Sequence, residues 1–151
     1  MKYVLNKVSE TARIGQDGFR FDRDDTGKLI EIPHEFGVKL GDDLRIGEFV
    51  TIDRGRWRDT IIGDNTKIDH HAHIAHNVII GKSCLIHNFV SIEGSVEVGD
   101  FSQIFPHCNI SPQVKIGKNS IIASNSFVKD NVGDFELWGG IPARLIRKLD
   151  K

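Results

Sequence analysis

IGDNTK IDHHAH IAHNVI IGKSCL IHNFVS IEGSVE VGDFSQ IFPHCN ISPQVK IGKNSI IASNSF V is the chain from residue 62 to residue 128, set out in blocks of six. Every block opens on a branched aliphatic: Ile62, Ile68, Ile74, Ile80, Ile86, Ile92, Val98, Ile104, Ile110, Ile116, Ile122 and Val128. Four residues after each opening stands a small or medium side chain, among them Thr66, Ala72, Val78, Cys84, Val90, Val96, Ser102, Cys108, Val114, Ser120 and Ser126. A step of six in β-branched residues suits short strands joined by corners and does not match the 3.6 spacing of a helix. Both series are expected to point inward.

A longer period lies over the short one. Gly63, Gly81, Gly99 and Gly117 recur at intervals of 18, so three blocks make one triangular coil. Upstream, Leu40, Ile46 and Ile52 keep the step of six, but Ile52 to Ile62 is ten, which loops out four residues within DRGRWRD, residues 53–59. Residues 13–37 hold one Ile14-Gly15 pair and then polar turn signals, Asp17-Gly18-Phe19 and Asp24-Asp25-Thr26-Gly27, and read as a partial coil with a hairpin-like excursion. The last Val-Gly pair, Val132-Gly133, sets the expected end of the solenoid. The fold class is therefore all-β: a left-handed parallel β-helix forming a single domain over 1–151. Residues 1–39 are the partial coil, 40–133 the regular coils, and 134–151 a cap expected to be helical after Pro142.

Composition narrows the function. Twenty Lys and Arg against 21 Asp and Glu leave a net charge of −1, which gives no field for nucleic acid or an anionic membrane. Small-molecule substrates are the expected partners. Residues Met1 to Val8 carry no apolar run of signal length and no stretch approaches a membrane span, so a cytoplasmic location is expected. Cys84 and Cys108 fall in the small inward series and read as packing thiols.

Four of the seven histidines crowd into His70-His71-Ala72-His73-Ile74-Ala75-His76, and none takes an inward position in the repeat. Register singles out His76. It lies two residues past inward Ile74, at a corner, and one coil later stands Gly94, about one strand spacing or roughly 4.8 Å away. The matching position one coil earlier is Arg54, at the root of the DRGRWRD loop. Neutral imidazole can take a proton as an amine attacks a thioester, and a bare backbone N–H beside it can stabilise the oxyanion. Asp69 is the candidate to orient the imidazole.

Ile14-Gly15-Gln16-Asp17-Gly18-Phe19, Ile32-Pro33, Thr51-Ile52-Asp53-Arg54-Gly55, Asp59-Thr60-Ile61-Ile62-Gly63, Ile68-Asp69 and Ile74-Ala75-His76-Asn77-Val78-Ile79-Ile80-Gly81 resemble the hexapeptide-repeat UDP-3-O-acylglucosamine N-acyltransferases of lipid A synthesis. The resemblance spans residues 13–99. It implies that His76 is the catalytic base, Asp69 its partner and Gly94 the oxyanion donor. Asp17, Phe19, Arg54, Trp57 and His70 are the candidate substrate-binding residues. There are departures: nothing ahead of residue 13 is large enough for the family's uracil-binding domain, a family histidine is Gln113, and the asparagine after Asp69 is His70. Trp138-Gly139-Gly140-Ile141-Pro142-Ala143-Arg144 looks instead like the terminal motif of acetyl-CoA-dependent hexapeptide acetyltransferases, which implies a CoA groove at Gly140, Pro142, Ala143 and Arg144.

The expected activity is transfer of an acetyl or other acyl group from a CoA thioester to the amine of a nucleotide-linked amino sugar, with acetyl-CoA as donor and no metal. A lipid A type enzyme fed by an acyl carrier protein stays open. So does a γ-carbonic-anhydrase-like zinc enzyme, since the spacing of His71 and His76 looks like part of that family's intersubunit site. A non-catalytic scaffold or carbohydrate-binding module, with Trp57 and Phe19 stacking on sugar, is the third alternative. Because a thin solenoid has little core of its own, a homotrimer is expected, with ligand sites in the clefts between chains.

Overall fold

A computed structural model describes residues 5–151; the expectation of a partial coil over residues 1–4 lies outside the described residues. Three ladders of short parallel strands form the three faces of a left-handed coil. One face stacks Lys7–Val8, Arg45–Ile46, Lys67–Ile68, Leu85–Ile86, Gln103–Ile104, Ile121–Ile122 and Glu136–Gly140. The second stacks Arg13–Gln16, Thr51–Asp53, His73–Ile74, Ser91–Ile92, Asn109–Ile110 and Phe127–Val128, and the third runs from Val38–Leu40 to Lys115–Ile116. Regular partners are 18 residues apart, as in His73 with Ser91. Across the loop the offset grows to 22, as in Thr51 with His73, so the four added residues leave the ladder in register.

The inward positions explain this geometry. Every block-opening Ile from Ile62 to Ile122 is almost fully buried, and each contributes roughly 1.5–3 kcal/mol relative to exposure. Small inward residues sit where the corner backbone comes close. Thr66 Oγ1 donates to the Gly81 carbonyl and accepts from the Cys84 N–H, while Ser102 Oγ donates to the Gly117 carbonyl. Cys84 and Cys108 are free and buried in the same column, and burial pushes both thiols above their usual pKa. Corner residues such as Asn65, His71, Asn77, Phe89 and His107 have left-handed φ near 60°. Several offset that cost by stacking one rung apart: Phe49, His71, Phe89 and His107 form a column with ring centroids 4.8–5.1 Å apart.

The excursion is a two-stranded antiparallel hairpin, Phe21–Arg23 with Leu29–Glu31. The C-terminus departs from expectation. Parallel stacking does not stop at Gly133: Leu137 and Trp138 pair with Ile121 and Ile122, and no helix follows Pro142. Residues Ala143–Lys148 instead turn back as an antiparallel strand on Glu136–Gly140. A solenoid end exposes a row of unpaired backbone groups, and a hairpin satisfies them where a helix would not. Glu136 closes the end, its carboxylate accepting from the Gly133 N–H and Trp138 Nε1 and pairing with Lys148. Among the described residues no helix is long and apolar enough to cross a membrane.

Candidate active site

His76 stands at a corner between the second and third faces, where the DRGRWRD loop and the segment around Gly18 fold over the solenoid wall. The loop is tied down by Asn77, whose side-chain oxygen accepts from the Arg56 and Trp57 N–H groups at 2.7 and 3.2 Å. Arg58 Nε donates to the Asn77 carbonyl at 3.0 Å, and its guanidinium pairs with Glu97 at 3.1 Å. Asn77 itself is fully buried and takes its backbone hydrogen bond to Thr60 Oγ1. The residue after the candidate base is thus the peg that sets the cleft wall. Its place in the IAHN segment was visible in the sequence, but the tie to the loop was not.

The cleft is lined by Phe19, Arg20, Asp53, Arg56, Trp57, His73, Ala75, His76, Glu93, Gly94, Ser95, Pro112 and Gln113. The imidazole of His76 is half-buried, with the Trp57 ring edge-on at 6.3 Å. Its Nε2 faces Gly94: a Cβ built there would lie 2.7 Å from that nitrogen. Among the described residues no acceptor meets the Gly94 N–H, and Gly94 lines the cleft beside the base. Burial, the neighbouring His34, Arg56 and Arg20 hold the His76 pKa below its usual value, opposed by Glu93. The ring is therefore neutral near pH 7, as a general base must be.

Asp53, at the foot of the cleft, is nearly buried. Gln16 Nε2 donates to its Oδ1 at 2.8 Å and His73 Nε2 lies 3.7 Å from Oδ2. Burial raises its pKa against the opposing pull of His73, Gln16 and His34.

The sequence candidates separate into three places. His76, Gly94, Phe19 and Trp57 share the cleft, the two aromatics standing exposed at its rim. Asp69 and His70 lie in a different groove with Arg45, Lys67, Leu85 and His87, where Asp69 Oδ1 accepts the His70 N–H at 2.8 Å. Within one chain, then, Asp69 does not meet His76. Arg54 points away from the cleft and its Nε donates to the Phe36 carbonyl at 2.7 Å; Asp17 is exposed outside the lining. Gly140, Pro142, Ala143 and Arg144 form the turn of the terminal hairpin, with Arg144 paired to Asp130 at 3.1 Å, and none of them lines the His76 cleft. His71 is occupied between Phe49 and Phe89. Among the described residues no three His, Cys, Asp or Glu side chains cluster closely enough to hold a metal.

Arg20, Arg56, Asp53 and His34 were missed in the sequence. No histidine is inward in the repeat, yet His34 is buried, only 4% exposed, because the excursion packs it behind His76.

Comparison with known proteins agrees with the repeat and the fold. A family described as bacterial transferase hexapeptide (six repeats) matches residues 59–94 and 95–130. A probable UDP-3-O-acylglucosamine N-acyltransferase of Arabidopsis thaliana is 43% identical over 91% of this chain and 45% of its own length. A UDP-3-O-acylglucosamine N-acyltransferase of Azorhizobium caulinodans is 52% identical over 93% of this chain and 39% of its own. The chain thus spans less than half the length of these relatives. Among solved structures, a UDP-N-acetylglucosamine O-acyltransferase of Moraxella catarrhalis superposes with a TM-score of 0.87 at 23% identity, covering 96% of this chain and 55% of that one. A perosamine N-acetyltransferase of Caulobacter crescentus, in complex with CoA and GDP-perosamine, gives 0.78 at 20% identity, covering 97% and 58%. At these identities the two structures share the fold.

Proposed function

The chain belongs to the hexapeptide-repeat, left-handed β-helix proteins, and from that premise we propose that it is an N-acyltransferase acting on a nucleotide-linked amino sugar. The observation that carries the reading is His76 Nε2 set against the bare backbone of Gly94. The amine attacks the thioester carbonyl, and Nε2 takes its proton as the C–N bond forms. The Gly94 N–H receives the oxyanion. Collapse of the tetrahedral adduct breaks the C–S bond, and the His76 imidazolium returns the proton to the departing thiolate. Arg20 and Arg56 on the cleft wall suit a diphosphate-linked sugar, with Phe19 and Trp57 at the rim for its rings.

Acetyl-CoA is the proposed donor, supported by the Gly140-Ile141-Pro142-Ala143-Arg144 turn and by a fold shared with a CoA-bound acetyltransferase. Lys148 is engaged by Glu136 and Arg144 by Asp130, so Arg147 and Lys151 are the cations of this end left to meet CoA phosphates. The names of the relatives favour a second reading, an acylglucosamine N-acyltransferase of lipid A type. The assembly is proposed to be a homotrimer in which the groove holding Asp69 and His70 faces the His76 cleft of the next chain.

The test is thiol release from acetyl-CoA and from acyl carrier protein thioesters against a panel of nucleotide-linked amino sugars. Turnover of acetyl-CoA with one of them supports the reading. Turnover only of carrier-bound acyl chains moves the protein to the second reading, and no turnover of either overturns both.

A further inference from the structure

His34 is the one histidine buried away from solvent, and both of its ring nitrogens lack a partner among the described residues. Leaving two polar atoms unpaired in the interior costs roughly 1–3 kcal/mol each. Such a residue persists where its unspent hydrogen-bonding capacity is used during function. His34 does not line the cleft; it stands directly behind His76, the two rings meeting edge to face at 5.1 Å and 72°.

The orientation of the two rings is specific. His76 Nε2 faces Gly94, leaving Nδ1 turned to the opposite side, toward Gly18. A Cβ built on Gly18 would lie 3.1 Å from His76 Nδ1 and 2.7 Å from His34 Nε2. Both nitrogens thus converge on one small space that only a glycine leaves open. No acceptor for His76 Nδ1–H is supplied by any other described side chain, and Asp69, the expected partner, lies in another groove of the same chain. The charged groups that bear on His76 are Arg56 and Arg20 from the covering segments and Glu93 from the next rung; the two arginines cannot accept, and the Glu93 carboxylate accepts from Ser91 Oγ and makes no hydrogen bond to His76.

We propose that His34 is a positioning residue for the His76 base. In the working site His34 Nε2, unpaired in the structure, accepts the His76 Nδ1–H after a small turn of either ring across the Gly18 contact. This fixes the tautomer whose free lone pair is Nε2, over Gly94. When Nε2 takes the amine proton, His76 becomes an imidazolium with Nδ1–H already bonded, so no reorientation accompanies the charge. The proton stays on His76 until it passes to the thiolate; His34 gains and loses none.

This assignment rests on His76 being the base, and its test is arranged to separate the two ideas. In the full chain labelled with ¹⁵N-histidine, long-range proton–nitrogen correlation at pH 8 reports the His76 tautomer without any substrate. The wild type is expected to show Nδ1–H and an unprotonated Nε2. His34→Phe is expected to lose that preference, and His34→Gln, whose amide oxygen can accept, to keep it. In turnover, His34→Phe should lower kcat by roughly tenfold or more while leaving the sugar KM near wild type, with His34→Gln restoring most of it. A wild-type His76 carrying its proton on Nε2 would overturn the proposal whether or not the variants fold, and so would an unchanged tautomer in His34→Phe. Absence of thioester turnover in the wild type would overturn the proposed function while the tautomer measurement still decides the role of His34.

Discussion

The ring of His76 and the α-carbon of Gly94 occupy consecutive rungs so closely that a methyl on Gly94 would sit 2.7 Å from Nε2. Gly94 does not have positive φ, so alanine fits its backbone and conflicts only with the imidazole. Gly94→Ala is expected to lower kcat/KM by roughly a hundredfold, through a displaced base and a blocked oxyanion site. The melting temperature should stay within a few degrees of wild type. Calorimetry and steady-state kinetics on one preparation check both halves, and a fully active variant would remove Gly94 from the site.

Loss of the base itself is expected to be as severe. His76→Ala should reduce turnover by roughly a hundredfold or more with the coil intact. The pH profile carries a second signature. Because burial and the neighbouring cations lower the His76 pKa, its neutral form persists below the usual value of 6.5. The acid limb of kcat/KM should therefore fall at a pH lower than that. The same shift makes the folded chain bind fewer protons at this ring than the unfolded chain, so stability from this group is present above pH 6.5 and declines as pH falls through the folded pKa. An acid limb above 6.5 would assign the titration to another group.

The core tolerates shape changes far better than charge. Ile92 has no exposed surface and packs between rungs on both sides. Ile92→Val should cost only ~0.5–1.5 kcal/mol. Ile92→Asp places a carboxylate among aliphatics and should abolish soluble protein, at several kcal/mol. Denaturant melts of the first and soluble yield of the second are the measurements.

How much of this was legible follows from where each residue sits. The coil is written in the sequence because Ile62 to Val128 repeat with a fixed step, and the same arithmetic placed Gly94 beside His76. Register says nothing about segments outside the repeat. His34, Gly18 and Arg20 belong to the excursion, whose folding over the cleft depends on packing, so they could not be placed. The terminal segment misled for a related reason: Arg144 to Lys148 would serve a helix by propensity, but the open ladder at Ile121 and Ile122 offers backbone partners, and tertiary pairing overrides propensity.

That terminal hairpin should respond to acid. The Lys148 ammonium, aided by Trp138 Nε1 and the Gly133 N–H, holds the Glu136 carboxyl below its usual pKa despite the opposing effect of burial. A depressed carboxyl contributes stability that is present above the unfolded value of about 4.5 and is lost as pH falls through the folded one. The protection factors of the Leu145 and Arg147 amides, referred to the intrinsic exchange rate at each pH, should therefore fall on acidification below 4.5. Glu136→Gln should exchange faster at pH 7 and respond less to acid. Equal protection in both proteins would leave the hairpin held by its backbone pairing alone.

The separation of Asp69 from His76 within one chain leads to the most discriminating experiment on the assembly. If the groove of Asp69 and His70 meets the neighbour's cleft, each site draws His76 from one protomer and Asp69 from the next. Asp69→Lys puts a cation where an acidic partner is required and should be nearly inactive, as should His76→Ala. Co-expressed, the two variants form mixed rings in which an Asp69→Lys chain donates an intact His76 cleft to a His76→Ala chain carrying an intact Asp69. Such rings should regain a clear fraction of wild-type turnover, well above either variant alone, whereas a double variant mixed with wild type should show only dilution. Recovery requires a closed oligomer with shared sites. Sedimentation as a monomer, or no recovery on mixing, would return the whole site to one chain and leave Asp69 outside the chemistry.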